Sequence, residues 1–259
     1  MNIVNRRTIQ DSCDKAEWEA RVDLAAAHRM AVIQGFSEGI RNHLTLSVPG
    51  HDDQVLIMPF GLHWSEVKAS SFLVVDLEGR VLRGEGEVER STFCLHVPLH
   101  HKVPHAKAVF HTHMPFATTL TRLENPRLLP IGQTEVGLMS MMAYDDKYTG
   151  LGFDVAEGYR IAEILGSKSI LSMANHGVMV TGRTVSSAYE KMFYLERACQ
   201  SQVQAMWTGQ RLKMLPDEIV AHTQVQFSEP STYYGVSGDA LHFQALRRML
   251  DRTDPEYAT

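Results

Sequence analysis

The stretch AVFHTHMPFAT, residues 108–118, decides which fold the chain is expected to adopt. Its first three residues are apolar and favour a buried strand, while Pro115 is typical of the first residue of a helix. Between them lie His111 and His113, two residues apart, so that on a strand both side chains point to the same face. The stretch predicts a strand that ends at two histidines and leads directly into a helix.

Mixed elements are predicted outward from this stretch. Alternating apolar residues predict a strand over 40–48, and residues 72–82 read as a β-hairpin. Period-3.6 patterns predict helices over 16–35, 154–165 and 185–206. Since strands and helices alternate without strict βαβ order, the fold class is α/β, with a single α+β or three-layer α/β/α domain. Its expected limits are 16–259, after an N-terminal extension over 1–15 and with a C-terminal helical tail over 208–259.

The amino-acid composition argues against several classes of protein. The chain has 259 residues, 13 histidines, three cysteines and a formal net charge of −5. No basic surface is implied, so nucleic-acid binding is not expected. Three widely spaced cysteines argue against a disulfide framework, and no apolar run reaches the ~20 residues of a membrane span. A cytoplasmic protein without nucleic-acid or membrane partners is predicted.

A third histidine follows another apolar strand. Residues 170–173 predict a strand, and His176 comes just after it, between Asn175 and Gly177. If the two strands lie side by side, three imidazoles converge and leave coordination positions open, which is typical of a catalytic metal site. His96 is expected near this site, whereas His100 and His101 are expected at a solvated helix end.

Five strings together resemble the class II aldolase/adducin family, and in particular the fold of L-fuculose-phosphate aldolase. They are EGIRNH (38–43), LVVDLEG (73–79), AVFHTHMPFAT (108–118), NHG (175–177) and YLERAC (194–199). The resemblance implies a three-layer α/β/α sandwich with a mostly antiparallel sheet. It also implies homotetramers with active sites at subunit interfaces.

The resemblance further implies a role for the three histidines. His111, His113 and His176 would bind a divalent metal, with zinc as the first candidate and manganese, cobalt and iron as alternatives. Family members that are aldolases cleave small sugar phosphates by Lewis-acid catalysis of a retro-aldol reaction.

This chain departs from the family pattern at the catalytic carboxylate. Where the aldolases carry a glutamate, this chain has Thr92, whose hydroxyl cannot replace a carboxylate in proton transfer. Glu85, Glu87 and Glu89 lie just upstream and could supply a carboxylate, but a solvated loop is the favoured interpretation. His43, Thr92 and Tyr144 are the candidate catalytic residues. Further tyrosines considered for proton transfer are Tyr233 and Tyr234.

Departures also affect the phosphate site of the aldolases. Phe60 and Gly61 stand where a hydroxyl donor is expected, and Arg90 replaces a serine. A small, non-phosphorylated substrate that carries a carboxylate is therefore predicted. The candidate substrate-binding residues are Arg41, Asn42, Phe60, Gly61, Arg90 and Ser91.

Three functions remain open at this point. The first is a metal-dependent lyase that breaks a C–C bond in a hydroxy- or oxo-acid, by retro-aldol cleavage or decarboxylation. The second is a non-heme Fe(II) oxygenase on the same three-histidine centre. The third is a non-catalytic interaction module like the adducin head, which retention of the three histidines argues against.

Overall fold

A computed structural model describes residues 9–229, 232–233 and 235–259 of the chain. Its helices are α1 (Lys15–Ile33), α2 (Arg90–Lys102), α3 (Pro115–Leu120), α4 (Gln133–Met139), α5 (Val155–Leu165), α6 (Val185–Trp207), α7 (Asp217–Ser228) and α8 (Gly238–Thr253). Short 3₁₀ turns are formed by Gln10–Ser12, Trp64–Glu66, Ala69–Ser71 and Pro255–Ala258.

Eight strands form one sheet, in the order β4-β3-β2-β1-β5-β8-β7-β6. They are β1 (His43–Ser47), β2 (Gln54–Ile57), β3 (Leu73–Asp76), β4 (Val81–Arg83), β5 (Ala108–Thr112), β6 (Met142–Asp145), β7 (Ile170–Met173) and β8 (Val178–Gly182). All neighbouring pairs are antiparallel except β6 and β7. A separate two-stranded ribbon is formed by β9 (Thr232–Tyr233) and β10 (Val236–Ser237).

Helices cover both faces of the sheet, which confirms the predicted three-layer α/β/α sandwich. The central strand β5 divides its side chains between two cores, because alternate residues of a strand point to opposite faces. Ala108 and Phe110 pack in the larger core with α1, α3, α4, α6 and α8. Val109 packs in the smaller core with α2 and α5.

The alternation predicted for residues 40–48 has an unexpected consequence in β1. Leu44 and Leu46 enter the larger core, so the polar residues between them point to the opposite face. There Thr45 is fully buried, and its hydroxyl lies 2.8 Å from both His96 Nδ1 and His100 Nε2 of α2. The expectation that His100 lies in solvent is therefore wrong, because the polar face of β1 is covered by α2 and supplies its hydrogen bonds.

The C-terminal segment packs on the same core as the rest of the chain. Phe243 and Leu250 of α8 are buried with α1 and α6, and Arg247 Nη1 lies 2.7 Å from Asp23 Oδ1. In contrast, α7 buries none of its residues in the described chain. None of the described helices combines the length and apolarity needed to cross a membrane.

We predict that acid destabilises the protein through His28, a fully buried residue of α1 that packs against Trp64 and Phe72. Burial lowers the pKa of His28 from its usual 6.5 to about 4, against the opposing effect of its hydrogen bond to the Leu24 carbonyl. The unfolded chain therefore binds the proton more readily between those pH values. At pH 5 this protonation lowers the free energy of unfolding by about 2 kcal/mol compared with neutral pH.

Denaturant unfolding between pH 7.5 and 5 measures this effect. The variant His28→Leu is expected to lose that part of the pH dependence, whereas His51→Ala, in an exposed loop, keeps it. An identical pH dependence for His28→Leu and the unmodified protein would contradict the prediction.

Candidate metal centre and its cavity

The pairing of β5 with its neighbours places the first of three histidines. His111 is opposite His43 of β1 and opposite Met179 of β8 in the antiparallel ladder. Its Nδ1 lies 3.0 Å from the carbonyl oxygen of Val178, to which a protonated Nδ1 donates. The ladder and this bond fix the ring, and they leave Nε2 of His111 as the free ligand atom.

His113 lies just beyond the end of β5 and is held by two side chains. Its backbone N–H donates to Asn42 Oδ1 at 3.0 Å, and its Nδ1 lies 2.6 Å from Glu38 Oε2. A carboxylate on Nδ1 fixes the tautomer and turns Nε2 into the ligand atom. That Nε2 is buried and has no hydrogen-bond partner in the described part of the chain.

His176 occupies the turn between β7 and β8, where Asn175 has left-handed backbone angles with φ of 57°. The ring centroids of His111, His113 and His176 lie between 4.8 and 5.0 Å from one another. One nitrogen from each ring lies within 4.8 Å of the others. The predicted convergence of the three imidazoles is confirmed.

The donor set fits a divalent transition-metal ion. Burial and the neighbouring rings lower the pKa of His176 to about 4, and they hold the pKa of His111 well below its usual range. Both rings are therefore neutral at pH 7, which is the form that binds metals. A Cβ added at Gly177 would lie 2.6 Å from His113 Cδ2, so only glycine leaves room for this ring.

The three histidines line a cavity of about 490 Å³. Two arginines, Arg41 and Arg122, also line it, together with Tyr148. The Tyr148 ring centroid is 6.4 Å from that of His176. The other lining residues are Ile40, Asn42, His43, Glu89, Ser91, Leu95, Gly150, Leu151, Gly152, Phe153 and Asn175.

Glu89 lines the cavity and brings a carboxylate to it, so the favoured interpretation of a solvated loop is wrong for this residue. It is the N-cap of α2, accepting the Thr92 N–H at 2.8 Å, and it also accepts the Ser91 hydroxyl. His43 Nε2 lies 3.3 Å from the same carboxylate. Burial alone would raise the pKa of Glu89, but these hydrogen bonds outweigh burial and hold it at about 2.

Thr92 and Tyr144, two of the three candidate catalytic residues, do not line this cavity. Thr92 is buried, and its N–H and hydroxyl both point to Glu89, so it serves the helix cap. The Tyr144 hydroxyl accepts the N–H of Leu128 at 3.1 Å, and the guanidinium of Arg127 stacks on its ring. Strand β6, which carries Tyr144, is the edge of the sheet farthest from β1 in strand order.

The candidate substrate-binding residues divide into two groups. Arg41, Asn42 and Ser91 line the cavity, although the amide oxygen of Asn42 is already engaged by His113. The other three do not: Phe60 borders a small adjoining cleft, Gly61 lies outside both, and Arg90 donates to the carbonyl of Phe153. Of the remaining tyrosines, Tyr233 is exposed in β9, and Tyr234 lies outside the described residues.

Sequence reasoning did not single out Arg122, Tyr148 or Glu38 as site residues. Arg122 follows α3, and Tyr148 lies in the loop after β6, so neither belongs to a local motif. Glu38 stands at the start of the string EGIRNH, which offered a signal for it. Their positions depend on loops that converge only in the folded chain.

The chain, with its three-layer sandwich and three converging histidines, matches a known protein family. The family model described as "Class II Aldolase and Adducin N-terminal domain" matches residues 22–203. The chain belongs to the class II aldolase/adducin family, as the sequence resemblance predicts.

Relatives of different kinds share this sequence and fold. A Caulobacter vibrioides protein, whose name assigns it provisionally to class 2 of the aldolases, is 33% identical, covering 97% of this chain and 96% of its own. Alpha-adducin of Rattus norvegicus is 34% identical over 92% of this chain but only 34% of its own length. The crystal structure of an aldolase II superfamily protein from Pseudomonas syringae superposes with a TM-score of 0.90, at 31% identity, covering 97% of this chain and 99% of that one.

We predict that Gly177→Ala weakens metal binding at the three-histidine centre. The new methyl group would meet His113 Cδ2 at 2.6 Å and the Thr112 carbonyl oxygen at 2.7 Å, so the imidazole must move. The expected loss is at least about tenfold in zinc affinity, measured by competition with a chelator. Gly238→Ala, where an added Cβ meets nothing within 4 Å, is the matched control. Equal zinc affinities for both variants would contradict the prediction.

Proposed function

We propose that this protein is a divalent-metal-dependent lyase that cleaves a C–C bond in a small, non-phosphorylated hydroxy- or oxo-acid, by retro-aldol cleavage or decarboxylation. The observation that carries the proposal is the convergence of His111, His113 and His176 on the wall of a cavity that also holds two arginines. When bound, a divalent ion supplies Lewis acidity to a substrate oxygen, with zinc as the first candidate and manganese, cobalt and iron as alternatives.

Two arginines on the cavity wall favour an acidic substrate. Within the described residues, neither Arg41 nor Arg122 has an acidic partner for its guanidinium. The planar fork of a guanidinium binds a carboxylate through two parallel hydrogen bonds. A substrate carboxylate held here would direct the rest of a small molecule towards the histidines on the same wall.

The adjoining cleft argues against a phosphorylated substrate. It is bordered by Asn42, Phe60 and Glu89, and its volume is about 10 Å³, too small for a phosphate group. Glu89, whose pKa is held at about 2, is ionised at neutral pH and would repel a phosphate dianion. These features disfavour a phosphate in this cleft, while Arg90, which the sequence suggested for carboxylate binding, lies outside both the cleft and the cavity.

His43 and Tyr148 are the residues placed to handle a proton. The ionised Glu89 favours an N–H on Nε2 of His43, so this nitrogen is a proton donor beside the cavity, whereas Nδ1 is buried. Tyr148, whose phenolic hydroxyl can donate a hydrogen bond, lines the same cavity. Because decarboxylation needs a proton donor only after the bond breaks, either residue suits it, while retro-aldol cleavage also needs a base, which neither of these donors supplies.

We propose in addition that the chain forms a homotetramer with active sites at subunit interfaces. Apolar side chains at the mouth of the cavity are exposed, among them Leu151 at 73% and Phe153 at 39%. Exposed apolar groups grouped around a polar site are typical of surfaces that a partner covers.

A non-catalytic interaction module is the second candidate, because alpha-adducin of Rattus norvegicus is 34% identical to this chain. The three histidines argue against it, since an interaction surface does not require ligand atoms within 4.8 Å of one another. Metal content separates the two candidates.

We expect purified protein to contain about one divalent ion per chain, and His113→Ala to lose it. His101→Ala, at the exposed end of α2, is the control that retains metal. An anaerobic panel of hydroxy- and oxo-acids, with detection of aldehyde and CO₂, then measures the reaction. A protein that binds no stoichiometric metal would contradict the lyase proposal, and turnover that consumes O₂ with iron bound would replace it by the Fe(II) oxygenase.

We predict that Arg122→Gln raises KM for the acid identified in that panel by about 10- to 100-fold with little change in kcat, as loss of a charge-assisted hydrogen bond implies. Arg183→Gln, an exposed arginine at the opposite end of β8, serves as the control. An unchanged KM for Arg122→Gln would remove the arginine from substrate binding and leave the metal centre untouched.

A further inference from the structure

A buried carboxylate on α6 contacts the backbone next to the metal centre. Glu196 is 4% exposed, and each of its two oxygens accepts one backbone N–H, from Phe116 at 2.9 Å and from Ala117 at 2.8 Å. These are the second and third residues of α3, the helix that begins two residues after His113. The residue lies in the string YLERAC, to which neither the fold nor the proposed chemistry assigns a role.

Glu196 satisfies the two backbone N–H groups at the start of α3 that have no other acceptor among the described residues. Pro115 has no N–H, and the Thr118 N–H donates to the Met114 carbonyl at 2.9 Å. The two donors between them would be unsatisfied inside the protein, which costs about 1–3 kcal/mol each. Met114, at the N-cap position, supplies no side-chain cap. Glu196 therefore caps α3 from another helix.

His113 lies beyond the part of β5 that the sheet holds, so its backbone relies on contacts outside the ladder, while Glu38 holds only its ring. The ladder of β5 with β8 ends at Thr112, opposite Val178. Beyond that point the chain is held on one side by Asn42, which accepts the His113 N–H, and on the other by the start of α3. Only Met114 separates His113 from Pro115, so a shift of α3 moves the ligand.

We propose that Glu196 is a positioning residue of the metal centre, whose carboxylate fixes the start of α3 and thereby the imidazole of His113. The inference rests on the proposed function only in that the three histidines bind a metal. Such outer partners of ligands commonly account for about 10- to 100-fold of metal affinity.

The carboxylate of Glu196 can cap both N–H groups at the start of α3, whereas the amide of a glutamine cannot. Its two oxygens each accept one N–H, whereas glutamine offers one oxygen and would turn an NH₂ group towards the second donor. Burial raises the pKa of Glu196 and the two N–H bonds oppose that rise, so the group is retained against a cost of desolvation. A neutral side chain at this position would avoid that cost.

Cobalt(II) binding tests the proposal, because the visible spectrum of the ion reports its ligand geometry. We expect Glu196→Gln to lower cobalt affinity by about 10- to 100-fold and to change the spectrum of the bound ion. Glu190→Gln is the matched control, since Glu190 lies on the same helix but is paired with His242 at the surface. The control is expected to keep the affinity and spectrum of the unmodified protein.

Unfolding of the metal-free proteins separates positioning from simple stabilisation. If Glu196→Gln lowers Tm but keeps the cobalt affinity and spectrum of the unmodified protein, the proposal is overturned and Glu196 is only a structural cap. If Glu196→Gln does not fold, Glu196→Asp replaces it, with the charge kept and the reach shortened. An unchanged cobalt affinity in Glu196→Asp then overturns the proposal.

A different result distinguishes failure of the proposed lyase function from failure of the Glu196 proposal. If the unmodified protein binds no cobalt, the lyase proposal fails, and amide hydrogen exchange of residues 111–118 in the metal-free protein decides the role of Glu196. Faster exchange in Glu196→Gln, with no change in Glu190→Gln, supports a carboxylate that holds this segment. Unchanged exchange overturns it.

Discussion

The antiparallel pairing of β5 with β1 and β8 is the constraint on which the rest of the site depends. It sets His111 opposite His43 on one side and brings the turn that carries His176 to the end of β5 on the other. A shift of register by one residue would turn His111 into the larger core and Phe110 towards the histidines. The hydrophobic division between two cores therefore also specifies the geometry of the three-histidine group.

The cavity around the three histidines is lined by charges of both signs. Arg41 and Arg122 supply positive charge, while Glu89 is ionised and paired with His43. In the proposed function, a small acid would place its carboxylate at the arginines and its reacting oxygen at the histidines. The same arrangement disfavours a phosphate group in the cleft beside Glu89, since like charges would meet at short range.

The partners that orient the histidines are as specific as the histidines themselves. Glu38 holds Nδ1 of His113, the Val178 carbonyl holds Nδ1 of His111, and Gly177 leaves room for a ring. Each is a backbone group or a side chain from a different element. A histidine group of this kind is consequently a property of the assembled sheet and of the helix ends around it, not of one motif.

The sequence by itself determined the layered α/β architecture, the family and the three histidines, because those depend on local periodicity and on motifs of a few residues. Only the tertiary structure decided which carboxylate reaches the cavity. Thr92 suggested that a carboxylate was absent, but Glu89 enters one turn earlier because it caps α2, and capping depends on where the helix begins. Arg122 and Tyr148 line the cavity because the loops that carry them converge in the folded chain. Tyr144 lies away from the cavity because it belongs to β6, the edge strand of the sheet. Contacts between distant segments arise from packing, which short-range patterns do not record.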